Sequence, residues 1–179
     1  MRGNFPMFHE IVAAYDAAMA GMTPEIREQA ESWYCDANNF ANSLCNVRTD
    51  WSLETAACVI SALSPRERWE ANKAKAMLFA MRQPIRGLSA NYLRAMQAEK
   101  LGLAALRGCK TNAFARAIMG DSSAVVIDTW MLKAINRRTV TEKQYSTCEL
   151  AVDAVARKYG MTSRDCQAAI WIVTRGSHK

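Results

Sequence analysis

Few residues in this chain are able to stop a helix. Only 8 glycines and 4 prolines interrupt its 179 residues, while Ala, Met and Leu are frequent, a mix that favours helices. The breakers fall between stretches of helical periodicity. Phe8 to Met19 reads as a first helix ending near Gly21. Thr23-Pro24-Glu25 then reads as a helix start, with Thr as N-cap, Pro in the first turn and Glu favoured by the dipole. Beyond it, Ile26, Trp33, Ala37, Phe40, Ala41 and Leu44 share one face. Ser52 opens a helix through Leu63. Ser64-Pro65-Arg66-Glu67 has the form of a capping box with proline in the first turn and predicts another start there, with Gln83-Pro84 and Gly87 ending it. Shorter helices are expected over 90–98 and 100–106. Arg107-Gly108-Cys109 reads as a tight turn, Lys110 opens a helix closed by Gly120, and Asp128 begins the next. The last two run from Glu142 to Tyr159 and from Arg164 to Thr174, on either side of Gly160. Only Val125-Val126-Ile127 reads as extended, and three residues do not make a sheet. The expected fold class is all-α, one domain over 1–179 with about eight to ten helices.

Several classes of protein are set aside by composition. No apolar run approaches the roughly 20 residues of a membrane span. The first twenty residues are punctuated by polar side chains and read as an amphipathic helix, not a secretory signal. Cys35, Cys45, Cys58, Cys109, Cys148 and Cys166 include no CxxC pair. Several fall at apolar helical positions, so buried reduced thiols, a cytoplasmic location, and no metal or other cofactor are expected. The formal charge of +6 is unevenly spread. Residues 1–63 hold 3 Lys/Arg against 8 Asp/Glu, residues 64–138 hold 14 against 5, and the remainder 6 against 4. A basic middle beside an acidic start is the pattern of a phosphate-facing surface, although ordinary solvated helix faces give the same count.

Two residues have placements that bear on chemistry. Lys110 falls in the first turn of its helix, where the macrodipole disfavours a cation and so favours the neutral amine a nucleophile needs. Asp128 follows an apolar run and precedes Thr129-Trp130. At a helix N-terminus a carboxylate can stabilise developing positive charge or orient a nucleophile, and N-capping is its commonest duty there. Asp36, Asn38 and Asn39 are polar positions in an otherwise packed helix. They either line a pocket for a base through hydrogen bonds or face solvent, and Asn72 reaches the same region from the next helix. Trp33, Trp69, Trp130 and Trp171 recur at apolar helical positions, where core packing is the commoner role than base stacking. Trp51, next to Asp50 in a turn, is expected to be more exposed. His9 reads as a surface or core histidine, and His178 belongs to a frayed tail.

Leu106-Arg107-Gly108-Cys109-Lys110-Thr111 leads into a helix, and Ile127-Asp128-Thr129 places its aspartate eighteen residues after Lys110. Upstream, Ile60-Ser61-Ala62-Leu63 is followed by Asn72-Lys73-Ala74-Lys75-Ala76. Both blocks resemble the helix-hairpin-helix (HhH-GPD) DNA glycosylase superfamily, the second with about two extra residues between its parts. They span 58–80 and 103–138, about a third of the chain. The resemblance implies a glycosylase-like helical domain without an iron–sulfur cluster, acting on a base flipped from double-stranded DNA. It implies Lys110 and Asp128 as catalytic residues, with Lys110 attacking the sugar C1′ in lyase-type members. A base pocket would draw on Asp36, Asn38, Asn39, Leu63, Asn72 and Trp130. DNA would be met by Ser64, Arg66, Arg68, Arg107, Gly108, Thr111 and Arg116.

The chain departs from that pattern in two places. The family's hairpin reads Leu-Pro-Gly-x-Gly-x-Lys, and here it is shorter by two residues and one glycine, which reduces its nest of N–H groups for a DNA phosphate. Leu63 stands where a glutamine often fills the gap left by the extruded base, a role open to an apolar wedge, as is simple core packing. The run Trp33-Tyr34-Cys35-Asp36-Ala37-Asn38, the Ala62-Leu63-Ser64-Pro65 block with Trp69 and Asn72, and the closing Gln167, Ala168 and Trp171 resemble small phage-encoded relatives, the α-glutamyl/putrescinyl thymine pyrophosphorylases. That resemblance implies transfer of an amine or amino acid to a 5-hydroxymethyluracil-derived base with loss of pyrophosphate, in the host cytoplasm. A glycosylase/lyase and a catalytically silent DNA-binding protein are the alternatives.

Overall fold

A computed structural model describes residues 5–87 and 89–176; Ser177, His178 and Lys179 lie outside the described residues. Nine α-helices and one 3-10 turn make up the described structure, with no strand. The helices are α1 (Phe8–Met19), α2 (Pro24–Val47), α3 (Leu53–Leu63), α4 (Trp69–Ala80), α5 (Ser89–Leu101), α6 (Cys109–Ile118), α7 (Thr129–Ala134), α8 (Glu142–Tyr159) and α9 (Ser163–Gly176), with the 3-10 turn at Gly102–Ala105 between α5 and α6. None of the helices is long and apolar enough to cross a membrane.

Local chemistry sets most of the boundaries. The Ser52 hydroxyl accepts the Thr55 N–H at 3.1 Å and starts α3. Thr141 and Gln144 form a reciprocal capping box at the start of α8, satisfying two donors the helix would otherwise leave open. At the other end of α8, Gly160 takes a left-handed conformation with φ +61°, and Arg27 of α2 donates to the carbonyls of Tyr159 and Gly160, both at 3.4 Å. Gly160→Ala is expected to lower stability by roughly 1 kcal/mol, because a Cβ is strained in that conformation. Urea denaturation measures it, and an unchanged midpoint would refute the left-handed cap.

The chain packs as two compact units, one formed by residues up to Tyr34 with those from Ser122 onward, the other by Cys35–Asp121. No linker announces the division, since one boundary falls inside α2. In the first unit α1, α7, α8 and α9 pack together around Ile11, Tyr15, Met19, Met131, Val152 and Ile170, all fully buried. In the second, α3 is the centre, with every residue from Ala56 to Leu63 buried. Helices α4, α5 and α6 pack against it. A helix apolar on all sides needs such enclosure.

Three sequence expectations require correction. Ser64-Pro65-Arg66-Glu67 does not open a helix. Ser64 instead caps the end of α3, its hydroxyl donating to Ser61 O at 2.8 Å, and Arg66 has φ +65°, off the right-handed helical path; α4 starts at Trp69. The stretch 100–106 is not a separate α-helix, because α5 continues to Leu101 and the tighter 3-10 turn follows. Trp51 is the most buried tryptophan, 7 % exposed, while Trp33, Trp69, Trp130 and Trp171 are half-buried.

Burial of Trp51 has a local cause. Its indole N–H donates to Glu99 at 3.1 Å and the Arg48 guanidinium lies 5.1 Å from its ring centroid. Arg82 also reaches Glu99, at 2.7 and 3.0 Å, and Arg48 at 3.1 Å. Burial pushes the Glu99 carboxyl upward, but the hydrogen bonds from Arg82 and Trp51 and the two positive charges outweigh it, leaving the group below its ordinary value. A depressed folded pKa stabilises above the unfolded value near 4.5, and that contribution disappears as pH falls through the folded value. Glu99→Gln is therefore expected to flatten the acid limb of a stability–pH curve below about pH 4.5. An acid limb identical to that of the unmodified protein would rule the network out as its source.

All six cysteines are free thiols. Cys58, Cys148 and Cys166 are buried, Cys45 and Cys109 half-buried, and Cys35 exposed. Burial pushes the Cys58 and Cys166 thiols up to about 12, which keeps them protonated and unreactive at neutral pH.

Candidate functional site

In the first unit the segment Ala124–Ile127 runs buried and extended into Asp128. It has no partner strand, and the Tyr145 hydroxyl of α8 supplies what one would. It accepts the Ile127 N–H and donates to Val125 O, both at 3.0 Å. Asp128 follows as the N-cap of α7. Its Oδ1 accepts the N–H groups of Trp130 and Met131 at 2.8 and 3.0 Å. Its Oδ2 accepts the Trp171 indole N–H from α9 at 3.0 Å. Three donors from two helices thus fix a carboxylate that stays half-exposed. A carboxylate has about four acceptor positions, so Oδ2 retains one for an external group.

The surroundings are aromatic, with cations set against several of the rings. The Trp33 and Trp171 rings lie 6.1 Å apart, and Arg175 sits 4.9 Å from the Trp171 centroid. The Tyr34 hydroxyl donates to Gln167 Oε1 at 2.8 Å. Burial, reinforced by the Asp128 negative charge, holds the Tyr34 hydroxyl far above the usual phenol range. Burial does the same for Tyr15, with Cys148 and Asp128 adding to it. Both phenols are neutral. Lys133, 3.9 Å from the Trp130 centroid, places a cation over that half-buried ring.

Lys110 belongs to the second unit. It is the second residue of α6, is exposed, and has no hydrogen bond or ion pair among the described residues. Gly108 is the N-cap, and the Thr111 hydroxyl donates to Gly108 O at 3.0 Å. The two sequence blocks of this unit are physically joined. Ser61 donates to Thr111 O at 2.6 Å, tying α3 to the start of α6, and Asn72 Nδ2 donates to Ile60 O at 3.2 Å. The sequence block that contains Ser61 gives it no role, because a serine inside an apolar helix carries no signal of its partner.

The remaining candidates separate by environment. Asp36 and Asn39 are exposed, whereas Asn38 donates to Ile118 O at 2.8 Å and its side-chain oxygen accepts from Asn42 at 2.9 Å. Asn72 is 2 % exposed, and its Oδ1 is buried without a partner among the described residues. Leu63 is also 2 % exposed and presents no surface for insertion into a duplex in this conformation. The residues around it do: Ser64 and Pro65 are half-buried, and Arg66 and Arg68 are exposed. Arg66, Arg68, Arg107 and Lys110 carry no ion-pair partner among the described residues, whereas Arg116 is paired with Asp121 through Nε at 2.9 Å. Its charge is compensated, so Arg116 is a poor phosphate contact. His9 is exposed.

The molecule is an all-helical protein with a triply anchored carboxylate in one unit and a set of uncompensated cations in the other. Over residues 3–178 the chain belongs to a family of unknown function, DUF7178. No curated protein and no solved structure matches it.

Proposed function

We propose that this protein modifies a thymine-type base in double-stranded DNA, joining an amine or amino acid to a 5-hydroxymethyluracil derivative with loss of pyrophosphate. The observation that carries the reading is the Asp128 carboxylate, fixed by Trp130, Met131 and Trp171 with an acceptor position left over. It is the aspartate that the helix-hairpin-helix resemblance makes catalytic. In the proposed step the amine nitrogen forms a bond to the exocyclic methylene carbon of the base. The carbon–oxygen bond to pyrophosphate breaks, and pyrophosphate leaves with that electron pair. Asp128 orients the amine and takes its proton. The exposed cations Arg66, Arg68 and Arg107 support contact with the DNA backbone.

A glycosylase/lyase reading is favoured by one feature, the exposed Lys110 amine in the first turn of α6, which has no ion-pair partner among the described residues. Its nitrogen would attack C1′, displace the base and hold the sugar as a Schiff base. One experiment separates the readings. Duplex DNA carrying the pyrophosphorylated base, or a panel of other modified bases, is incubated with and without an amine donor and with and without borohydride, then analysed by mass spectrometry. A nucleoside that gains the donor's mass, only with donor present, supports the transferase. A borohydride-trapped adduct lost in Lys110→Ala replaces it with the lyase. Binding without either product leaves a silent DNA-binding protein.

DNA affinity itself should fall steeply with salt. Arg66→Ala and Arg68→Ala are each expected to reduce the slope of log K against log salt by about 1. A slope near zero in the unmodified protein would count against DNA as the partner.

A further inference from the structure

Helix α5 turns its small residues inward and its large ones outward. Asn91, Ala95 and Ala98 recur at helical spacing and are buried, and the helix packs on α3. Tyr92, Leu93 and Met96 lie elsewhere around the helix and are exposed, Leu93 by 59 %. A helix that only covers a core carries the reverse pattern. Leu78 and Met81 are exposed at the end of α4. Two contacts hold that end beside α5: the Phe79 and Tyr92 rings lie 5.5 Å apart, and Arg82 reaches Glu99 at 2.7 Å. Of the ten large apolar side chains exposed among the described residues, six lie on these two helices or at their ends. Single exposed apolar residues are ordinary, whereas a cluster of them marks a surface for another molecule.

The charges around this area have one sign. Arg94 follows Leu93, and Lys100 lies one turn beyond Met96; both are exposed and have no ion-pair partner among the described residues. Arg82 stands on the α4 side, its side chain 59 % exposed. The carboxylate of α5, Glu99, has its side chain 15 % exposed and is shared by Arg48 and Arg82, so α5 offers no free negative charge. A molecule that covers this face is therefore apolar at its centre and acidic at its edges. A second copy joined through the same face would set Arg94 and Lys100 against their own counterparts. The chain's own acidic surface does not fit either. Glu25, Glu28, Glu31 and Asp36 are exposed on α2, but no exposed large apolar side chain stands among them. DNA phosphates would meet the cations and give Leu93 and Met96 nothing apolar to pack on.

The geometry points to α5 and the end of α4 as the docking face for an acidic amphipathic helix of a partner protein. Apolar side chains of that helix, at i, i+3 or i+4, and i+7, cover Met81, Tyr92, Leu93 and Met96. Its carboxylates meet Arg82, Arg94 and Lys100. The inference concerns docking and does not depend on the reaction proposed above.

The test selects binders to the full chain from a displayed library of random peptides long enough for several helical turns. Enriched peptides are synthesised and titrated into the isotope-labelled chain, with amide NMR reading the protein and circular dichroism the peptide. The expected binders carry an excess of Asp and Glu, place apolar residues at helical spacing and gain helicity when bound. Amide shifts should fall on residues 78–82 and 89–101. Leu93→Glu and Arg94→Glu, both at exposed residues, should each weaken binding about tenfold or more. Urea midpoints identify the folded variants, and Arg94→Glu carries the test if Leu93→Glu does not fold. The proposal is overturned if the enriched peptides have no acidic excess, if the shifts fall elsewhere, or if either folded variant binds as tightly as the unmodified chain. It is equally overturned if short duplex DNA or phosphatidylglycerol vesicles displace the peptide, or if sedimentation shows the chain dimerising through this face and Leu93→Glu restores the monomer.

Discussion

Tyr145→Phe is expected to destabilise the protein by about 2–6 kcal/mol, through two buried backbone groups left unsatisfied at about 1–3 kcal/mol each. The lost hydroxyl serves Ile127 N–H and Val125 O, both at 3.0 Å. Neither residue has a strand beside it, and both are about 2–3 % exposed. Water therefore has little access to replace the lost bonds, and the phenylalanine ring fills the same space without meeting them. The cost arises from exposing no new surface at all, which separates it from an ordinary cavity mutation. Denaturation in urea measures the effect, and a loss smaller than about 0.5 kcal/mol would show that the segment is held by other means. Under the proposed function, because the segment leads directly into Asp128, the variant should also lose product formation out of proportion to its folded fraction.

Asp128 allows chemistry and capping to be separated. Asp128→Ala removes the N-cap of α7, costing roughly 0.5–2 kcal/mol, and strands the Trp171 indole N–H. Asp128→Asn retains a side-chain oxygen for the Trp130 and Met131 N–H groups, but sets an NH₂ donor against the Trp171 indole donor. The asparagine variant should thus be destabilised by only about 1 kcal/mol. Under the proposed function its product formation should fall by about 10²- to 10⁴-fold, the usual range for loss of a general base. Mass spectrometry of the nucleosides reads the first quantity, and urea denaturation the second. Equal turnover by Asp128→Asn and the unmodified protein would reduce Asp128 to a cap. Trp171→Phe serves as the intermediate case, keeping the carboxylate and removing one of the three donors that aim it.

Much of the helical layout is legible in one dimension because its signals are local. Ser52, Thr141 with Gln144, and Gly160 each act on N–H or C=O groups within a few residues, so their meaning survives without knowledge of the fold. The same locality explains the failure at Ser64. Its Ser-x-x-Glu spacing is that of a capping box, yet the serine hydroxyl turns back to Ser61 O and Asn91 holds the following loop through Leu63 O and Pro65 O. Asn91 lies 26 residues beyond Pro65. Trp51 misled for a related reason: its turn is polar, but Glu99, 48 residues away, accepts its N–H in the fold.

The sequence by itself determined that the chain is helical, where most helices begin and end, and that Asp128 stands at a helix N-terminus with Lys110 in the first turn of another. Those properties depend on the backbone's needs over one turn. Only the tertiary structure decided that Tyr145 supports the extended approach to Asp128, that Trp171 takes its second oxygen, that Arg116 is neutralised by Asp121, and that Leu63 is enclosed. Each of these assigns a partner to a polar atom or a neighbour to an apolar side chain. Except for the Arg116 pair, those partners lie far along the chain, and no periodicity or spacing encodes which distant group will arrive.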